Sequence, residues 1–433
     1  MFDRRPTSAP LLFAASSIVG FGACSVPEAK PVALETSRAE ISSAAANILD
    51  FEFEAEVVAA ADSEARRAIV SQLLYVQGIL GSDGSGNAQI GRVQLTRVVE
   101  SPSADGTSGT KRIAYAAVLP VAWPKGKDLP STYEIVLPRD TTRLASFNAT
   151  YDGRCGSAGH GQDAFWFDWN PRAEGCSVED TDVTKVQVTV GASTRATEDR
   201  YPEYDLIWSD GRLDVVALFG IIESNTPRDW AFVGARSFVN EARRQLDDVS
   251  VATGGASSSV LEDTTVTGKL WIDGRERVVK VDVLVVPKEL SQAGADFETR
   301  YGPLSEQADL LLYNGHAGLG TEINAFGRAG NVVAGKYQIA LLNGCQTFAY
   351  IDTTMTDRRR AANGESDPDG TRYLDVVANA LTSRTENFVS TSNSLFGALL
   401  HVDSPQRWSD ILGRLPEGQI AVVFGEEDNR YTP

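Results

Sequence analysis

Residues 63–80 read SEARRAIVSQLLYVQGIL, and Ala65, Ile69, Leu73, Val76 and Leu80 recur at three- to four-residue steps. That period predicts an amphipathic helix with Ser63 as its N-cap. Alternating runs follow from Gln89 (QIGRVQLTRVV), Lys111 (KRIAYAAVL), Thr132 (TYEIVL) and Val183 (VTKVQVTV), divided by polar or glycine-rich stretches such as SPSADGTSGT. Period-two alternation between turn residues predicts strands, so residues 48–195 are expected to form a smaller α+β domain.

From Tyr201 the rhythm changes. Residues 213–222 (LDVVALFGII) are apolar almost throughout, as a strand covered on both faces must be. Thr226 and Pro227 read as N-cap and first-turn residue of a helix whose Ala231, Ala235, Phe238, Val239, Ala242 and Leu246 share a face. Residues 267–272 and 277–286 read as strands around Asp273-Gly274, and 297–307 as a helix. ADLLLYNGHAG and YQIALLNGCQT supply two further apolar strands. Residues 373–381 (YLDVVANAL) read as helical, and 396–402 and 419–424 as further strands or helices. This alternation over 201–433 predicts an α/β three-layer sandwich with a mainly parallel sheet, whose chemistry belongs at the carboxyl ends of its strands.

The N-terminus is of another kind. Arg4 and Arg5 precede thirteen mostly apolar and small residues, 11–23, which stop at Cys24. This is the layout of a signal peptide, and the run is too short to span a bilayer as a helix. Phe21-Gly22-Ala23-Cys24 resembles a bacterial lipobox, with Phe21 where a Leu-like residue is usual. The resemblance implies removal of 1–23 and lipidation of Cys24. The chain would then be a lipoprotein of the outer or cytoplasmic membrane, facing the periplasm or exterior; an ordinary signal peptide or a membrane anchor are the alternatives. Residues 24–47, with Pro27, Pro31 and no periodic apolar face, read as the tether.

Composition narrows the partners. With 433 residues, 42% of them hydrophobic, the chain is long enough for two cores. A net charge of -18 argues against nucleic acid. No glycine-rich phosphate cradle occurs, and neither cofactor nor metal is expected. Of four cysteines, Cys155 and Cys176 flank a glycine-rich and aromatic segment, where an exported protein is expected to form a disulfide. The competing reading makes Cys155, His160 and Cys176 metal ligands, without an evident fourth. DPDG (367–370) lacks the alternating ligands of a calcium loop and reads as a turn. Arg358, Arg359 and Arg360, in a polar insertion, read as a solvated charge run or a processing site.

Cys345 is left as a lone thiol. It follows one apolar strand, His316 follows another, and Asn-Gly precedes both. Only three histidines occur in the chain. If the two strands are neighbours, the side chains emerge at one edge, where an imidazole can activate a thiol and protonate a leaving amine.

Apolar strand, histidine turn, apolar strand, small residue, cysteine, in that order, resembles the caspase-like cysteine peptidases, which include caspases, gingipains, legumains, clostripain and separases. The resemblance spans residues 213–400 as a pattern of elements and is specific only around His316 and Cys345. It implies a caspase-like fold for 201–433, Cys345 as nucleophile, His316 as acid/base, and the backbone N–H groups of Ala317 and Cys345 as oxyanion donors. The expected substrate is a protein or peptide. Ala317 stands where that family usually has glycine, so its Cβ is expected to crowd the substrate. The other class of reading is a non-catalytic surface lipoprotein that binds a protein or glycan. A third reading makes the N-terminal domain a pro-segment or inhibitor of the other.

Overall fold

In the computed structural model, residues 40–102, 109–272, 274–416 and 418–433 are described. Nine strands form one mixed sheet. In spatial order they are Ile41–Ser42, Ala421–Phe424, Leu374–Asn379, Gln338–Asn343, Leu310–Asn314, Arg212–Gly220, Arg275–Val286, Glu262–Ile272 and Asp247–Thr253. The five from Leu374–Asn379 to Arg275–Val286 run parallel, and antiparallel strands close both sides.

Alternation along these strands sorts their side chains into two cores. Leu310, Leu312, Ile339, Leu341 and Val377 pack with Phe232, Phe238, Leu395 and Phe396 of the helices Trp230–Gln245 and Phe388–Leu400. Leu311, Tyr313, Ala340, Leu342 and Val376 pack on the other face with Tyr301 and Phe326 of the helices Ala295–Gln307 and Thr321–Arg328. Helices on both faces are what near-continuous apolar strands require.

The second sheet has six strands, antiparallel and curled around the helix Ala65–Ser82. Its longest members, Ala46–Ala60 and Thr110–Pro124, pair along their whole length. Cys155 and Cys176 are joined as a disulfide, which leaves neither sulfur for a metal.

Several elements differ from the sequence reading. Order begins ahead of Ile48: Ile41–Ser42 joins the edge of the large sheet, with Ile41 opposite Phe424, because a short β-prone pair there completes the ladder. Ser63 caps nothing, its hydroxyl donating to Ala60 O, and the helix begins after Glu64. Asp229, rather than Thr226, caps the next long helix, accepting from Ala231 N at 3.0 Å. Residues 373–381 contain the strand Leu374–Asn379; a run this short and apolar fits either period, and its place beside the Cys345 strand decides. The polar insertion after Cys345 holds a helix, Thr354–Asn363, in which Arg359 is only 3% exposed and pairs with Gln338. Arg358 donates to the carbonyls of Gly327, Ala329 and Gly330 at the end of another helix. Neither residue is part of a solvated run.

Candidate functional site

The Cys345 and His316 strands are parallel neighbours, with Asn314 opposite Asn343. Cys345 and His316 each lie two residues beyond that pair. They therefore leave the sheet side by side at its carboxyl edge, where neighbouring strands are about 4.8 Å apart. Gly315 N donates to Asn343 O at 3.1 Å, so the two strands remain bonded one residue past their regular ends.

Beneath the two side chains lies a layer the sequence reading did not identify. Asn314, Asn343 and Asn379 end three successive strands, and all are fully buried on one face of the sheet. Asn343 Nδ2 donates to Asn314 Oδ1 at 2.8 Å and to Phe388 O at 3.2 Å. Its Oδ1 accepts from Asn379 Nδ2 at 2.8 Å and from the Ser383 hydroxyl at 2.9 Å, so every polar site of this amide is filled. Ser392, from the covering helix, donates to Asn314 Oδ1 at 2.9 Å. A buried amide is costly unless satisfied, and this one is satisfied from both neighbouring strands. The sequence signal was the Asn-Gly pair itself, which local propensity reads as a turn.

His316 is half-buried, and its Nε2 lies 2.9 Å from Ile222 O. A carbonyl can only accept, so Nε2 carries a proton, and in the neutral imidazole Nδ1 is the nitrogen with the lone pair. Tyr313 Oη donates to His316 O at 2.8 Å and fixes the backbone of the turn. The Ile222 loop is held by Asp229, which accepts from the N–H groups of Ile222, Glu223 and Ser224 at 2.8 to 3.1 Å. Burial opposes that charge, but the converging N–H donors outweigh it and hold the Asp229 carboxyl below its usual range. Beside this loop a cleft of about 330 Å³ opens between Ile221, Leu261 and Pro287, with Glu223, Ser224, Asn225, Lys288 and Glu289 at its rim.

Cys345 is half-buried and unpaired, with its Sγ 3.6 Å from Ser383 O. Burial pushes its thiol up. Gln346, directly after it, has φ 51° and ψ 35°. A left-handed non-glycine residue costs on the order of 1 kcal/mol or more and persists only where its surroundings impose it. Here Gln346 N donates to Leu381 O at 3.0 Å, and residues 347–351 are pinned beneath the small domain. Trp166 meets Tyr350 edge-on at 6.3 Å between ring centroids, and a Cβ on Gly91 would lie 2.5 Å from Ile351 O.

Ala317 has ordinary right-handed backbone angles and is 5% exposed. Its side chain is part of the core rather than an obstacle over the site. Among the described residues no backbone carbonyl accepts from the N–H of Ala317 or of Cys345. His160 stacks edge-on against Phe167, and His401 is exposed after the helix Phe388–Leu400; neither approaches Cys345 through any contact described. Cys24 lies outside the described residues.

Comparisons with family models, curated proteins and solved structures each find no match. Among the described residues no helix is long and apolar enough to cross a membrane.

Proposed function

We propose that the protein is a cysteine peptidase with a caspase-like catalytic domain, held at the outside of a membrane through lipidated Cys24. The observation that carries this reading is the register of Asn314 with Asn343, which sets a histidine and a half-buried thiol at equivalent positions on adjacent strands. The Ile222 carbonyl, by taking Nε2–H, leaves Nδ1 as the base.

In this reading Nδ1 takes the thiol proton as Sγ attacks the scissile carbonyl. The N–H groups of Ala317 and Cys345 receive the oxyanion. The imidazolium returns its proton to the leaving amine, a thioester to Cys345 remains, and water activated by the neutral imidazole hydrolyses it. Because burial raises the thiol, proton transfer during attack fits this site better than a resting thiolate.

Burial of the thiol also favours a second reading, a binding lipoprotein in which Cys345 is inert. The two are separated by incubating the full chain with a peptide library and reading new termini by mass spectrometry. A peptidase yields new termini with wild type and none with Cys345→Ala or His316→Ala. Identical peptide sets from all three proteins select the binding reading.

A further inference from the structure

Four neighbouring strands end in a line along the edge that carries the candidate site. Next to Gln338–Asn343, which leads to Cys345, the second strand leads to His316, the third to residues 221–225, and the fourth, Arg275–Val286, to Pro287. In the peptidase reading the thiol attacks the scissile carbonyl and His316 protonates the leaving amine, so the amine side of a substrate points from Cys345 toward His316. Continued in that direction, it crosses the Ile222 loop and reaches the cleft of about 330 Å³ beside that loop. The cleft opens at the third and fourth strand ends. At the usual strand spacing this is about 12 Å from the Cys345 strand, the reach of three to four residues of extended chain.

The walls of this cleft are apolar and its rim is charged. Ile221 is buried, Leu261 and Pro287 are half-buried, and Glu223, Lys288 and Glu289 are exposed around them. Among the described residues, no ion pair or hydrogen bond engages the side chain of Glu223, Lys288 or Glu289. The loops that carry them are nevertheless fixed. Glu223 N and Ser224 N donate to Asp229 Oδ2 at 2.8 and 3.0 Å, and Ile221 N donates to Val286 O at 3.0 Å. Two residues past Glu289, the N–H and the hydroxyl of Ser291 both donate to the Glu322 carboxylate at 2.9 Å. Two carboxylates and one ammonium thus stand over apolar walls on a held backbone, free for a ligand.

We infer that this cleft is the subsite for an arginine or lysine side chain on the leaving-amine side of the cleaved bond. Such a side chain lays its apolar stem on Ile221, Leu261 and Pro287 and presents its cationic head to Glu223 and Glu289. An acidic side chain would meet two like charges, and a short apolar one would leave both carboxylates without a partner. The volume lies at the lower end of small-ligand pockets and suits one or two side chains rather than a folded partner. The inference names the substrate class of the peptidase reading and rests on that reading for the direction of the bound chain.

The test reads which residues occupy the first four positions after each bond that the full chain cuts in a peptide library. Wild type is expected to enrich arginine and lysine there about two- to fivefold over their share of the library, the worth of an exposed charge pair. Glu223→Gln combined with Glu289→Gln should remove the enrichment, whereas Lys288→Ala should increase it. Glu365→Gln, exposed at the opposite edge of the sheet ahead of Leu374–Asn379, should change nothing, which separates the cleft from the net charge of -18. All four side chains are exposed, so the variants are expected to fold. No enrichment in wild type, or enrichment that survives the double variant or falls equally with Glu365→Gln, overturns the inference while the peptidase reading stands. If wild type cuts nothing, the peptidase reading fails and binding decides the inference. The Cys345→Ala chain is then titrated with dansyl-labelled hexapeptide amides of alanine and glycine that carry one arginine, glutamine or glutamate. Tightest binding of the arginine peptide, with the preference lost in the double variant, keeps the cleft as a site for a basic side chain. Equal binding of the three peptides, or a preference that the double variant retains, overturns it.

Discussion

Gly344 separates Cys345 from its strand, and no side chain fits there. A Cβ would lie 2.8 Å from Gly315 O and 3.3 Å from Ala317 N. Gly344→Ala is therefore expected to push the His316 and Cys345 turns apart. At least a tenfold fall in peptide cleavage should accompany a loss of about 1–3 kcal/mol in denaturant unfolding, the ordinary cost of overpacking. The Ala317 Cβ is buried in the core, so Ala317→Gly should leave a small void and a more mobile turn, costing about 1 kcal/mol without raising activity. Steady-state cleavage by that variant checks this directly. His316 and Cys345 themselves were legible in the sequence, because rare reactive residues after apolar strands stand out. Asn314, Asn343 and Asn379 were not, since their role exists only once the register aligns three strand ends.

At the scale of elements, alternation and apolar runs identified most of the parallel strands and their covering helices. They could not assign residues 373–381, where the strand Leu374–Asn379 is chosen by pairing with Gln338–Asn343 rather than by local preference. Nor does polarity mark a helix such as Thr354–Asn363 when its inward residue is an arginine bonded to Gln338. The small domain is tied in at both ends. Ile41 bridges Phe424 on one side and Ala196 on the other, so the strands entering and leaving that domain are fastened together on the large sheet. This argues against a readily detached pro-segment. Its disulfide loop carries Trp166 against Tyr350, five residues past Cys345. Trp166→Ala is expected to cost about 3–5 kcal/mol and to slow Cys345 alkylation, whereas Trp166→Phe should recover much of both. Cys155→Ser should cost about 2–4 kcal/mol in the same unfolding measurement.

Across the whole molecule, the chain enters the large sheet at the edge opposite the candidate site. Ile41–Ser42 runs parallel to the Cys345 strand, so Glu40 lies toward its amino end. If Cys24 is the anchor, Cys24→Ser should move the protein from the membrane to the soluble fraction without changing cleavage. The same amino edge holds buried carboxyls. Burial raises Asp375 to about 8 and Asp309 to about 7, despite donors from Tyr337 and Asn429 to the first and the Lys336 ion pair at the second. Both keep in the fold a proton that the unfolded chain releases near pH 4, so their contribution to stability falls as pH rises from about 4 to about 8. Asp375→Asn should flatten that slope and raise the melting temperature at pH 8 relative to wild type. The central claim is that the sheet's register couples His316 to Cys345, and it is tested most directly by the rate of Cys345 alkylation at neutral pH. Wild type should react on the order of tenfold faster than His316→Ala, the equivalent of about one pKa unit, with the two converging at high pH where the thiol ionises unaided. Equal rates for the two proteins across the whole pH range would contradict the account.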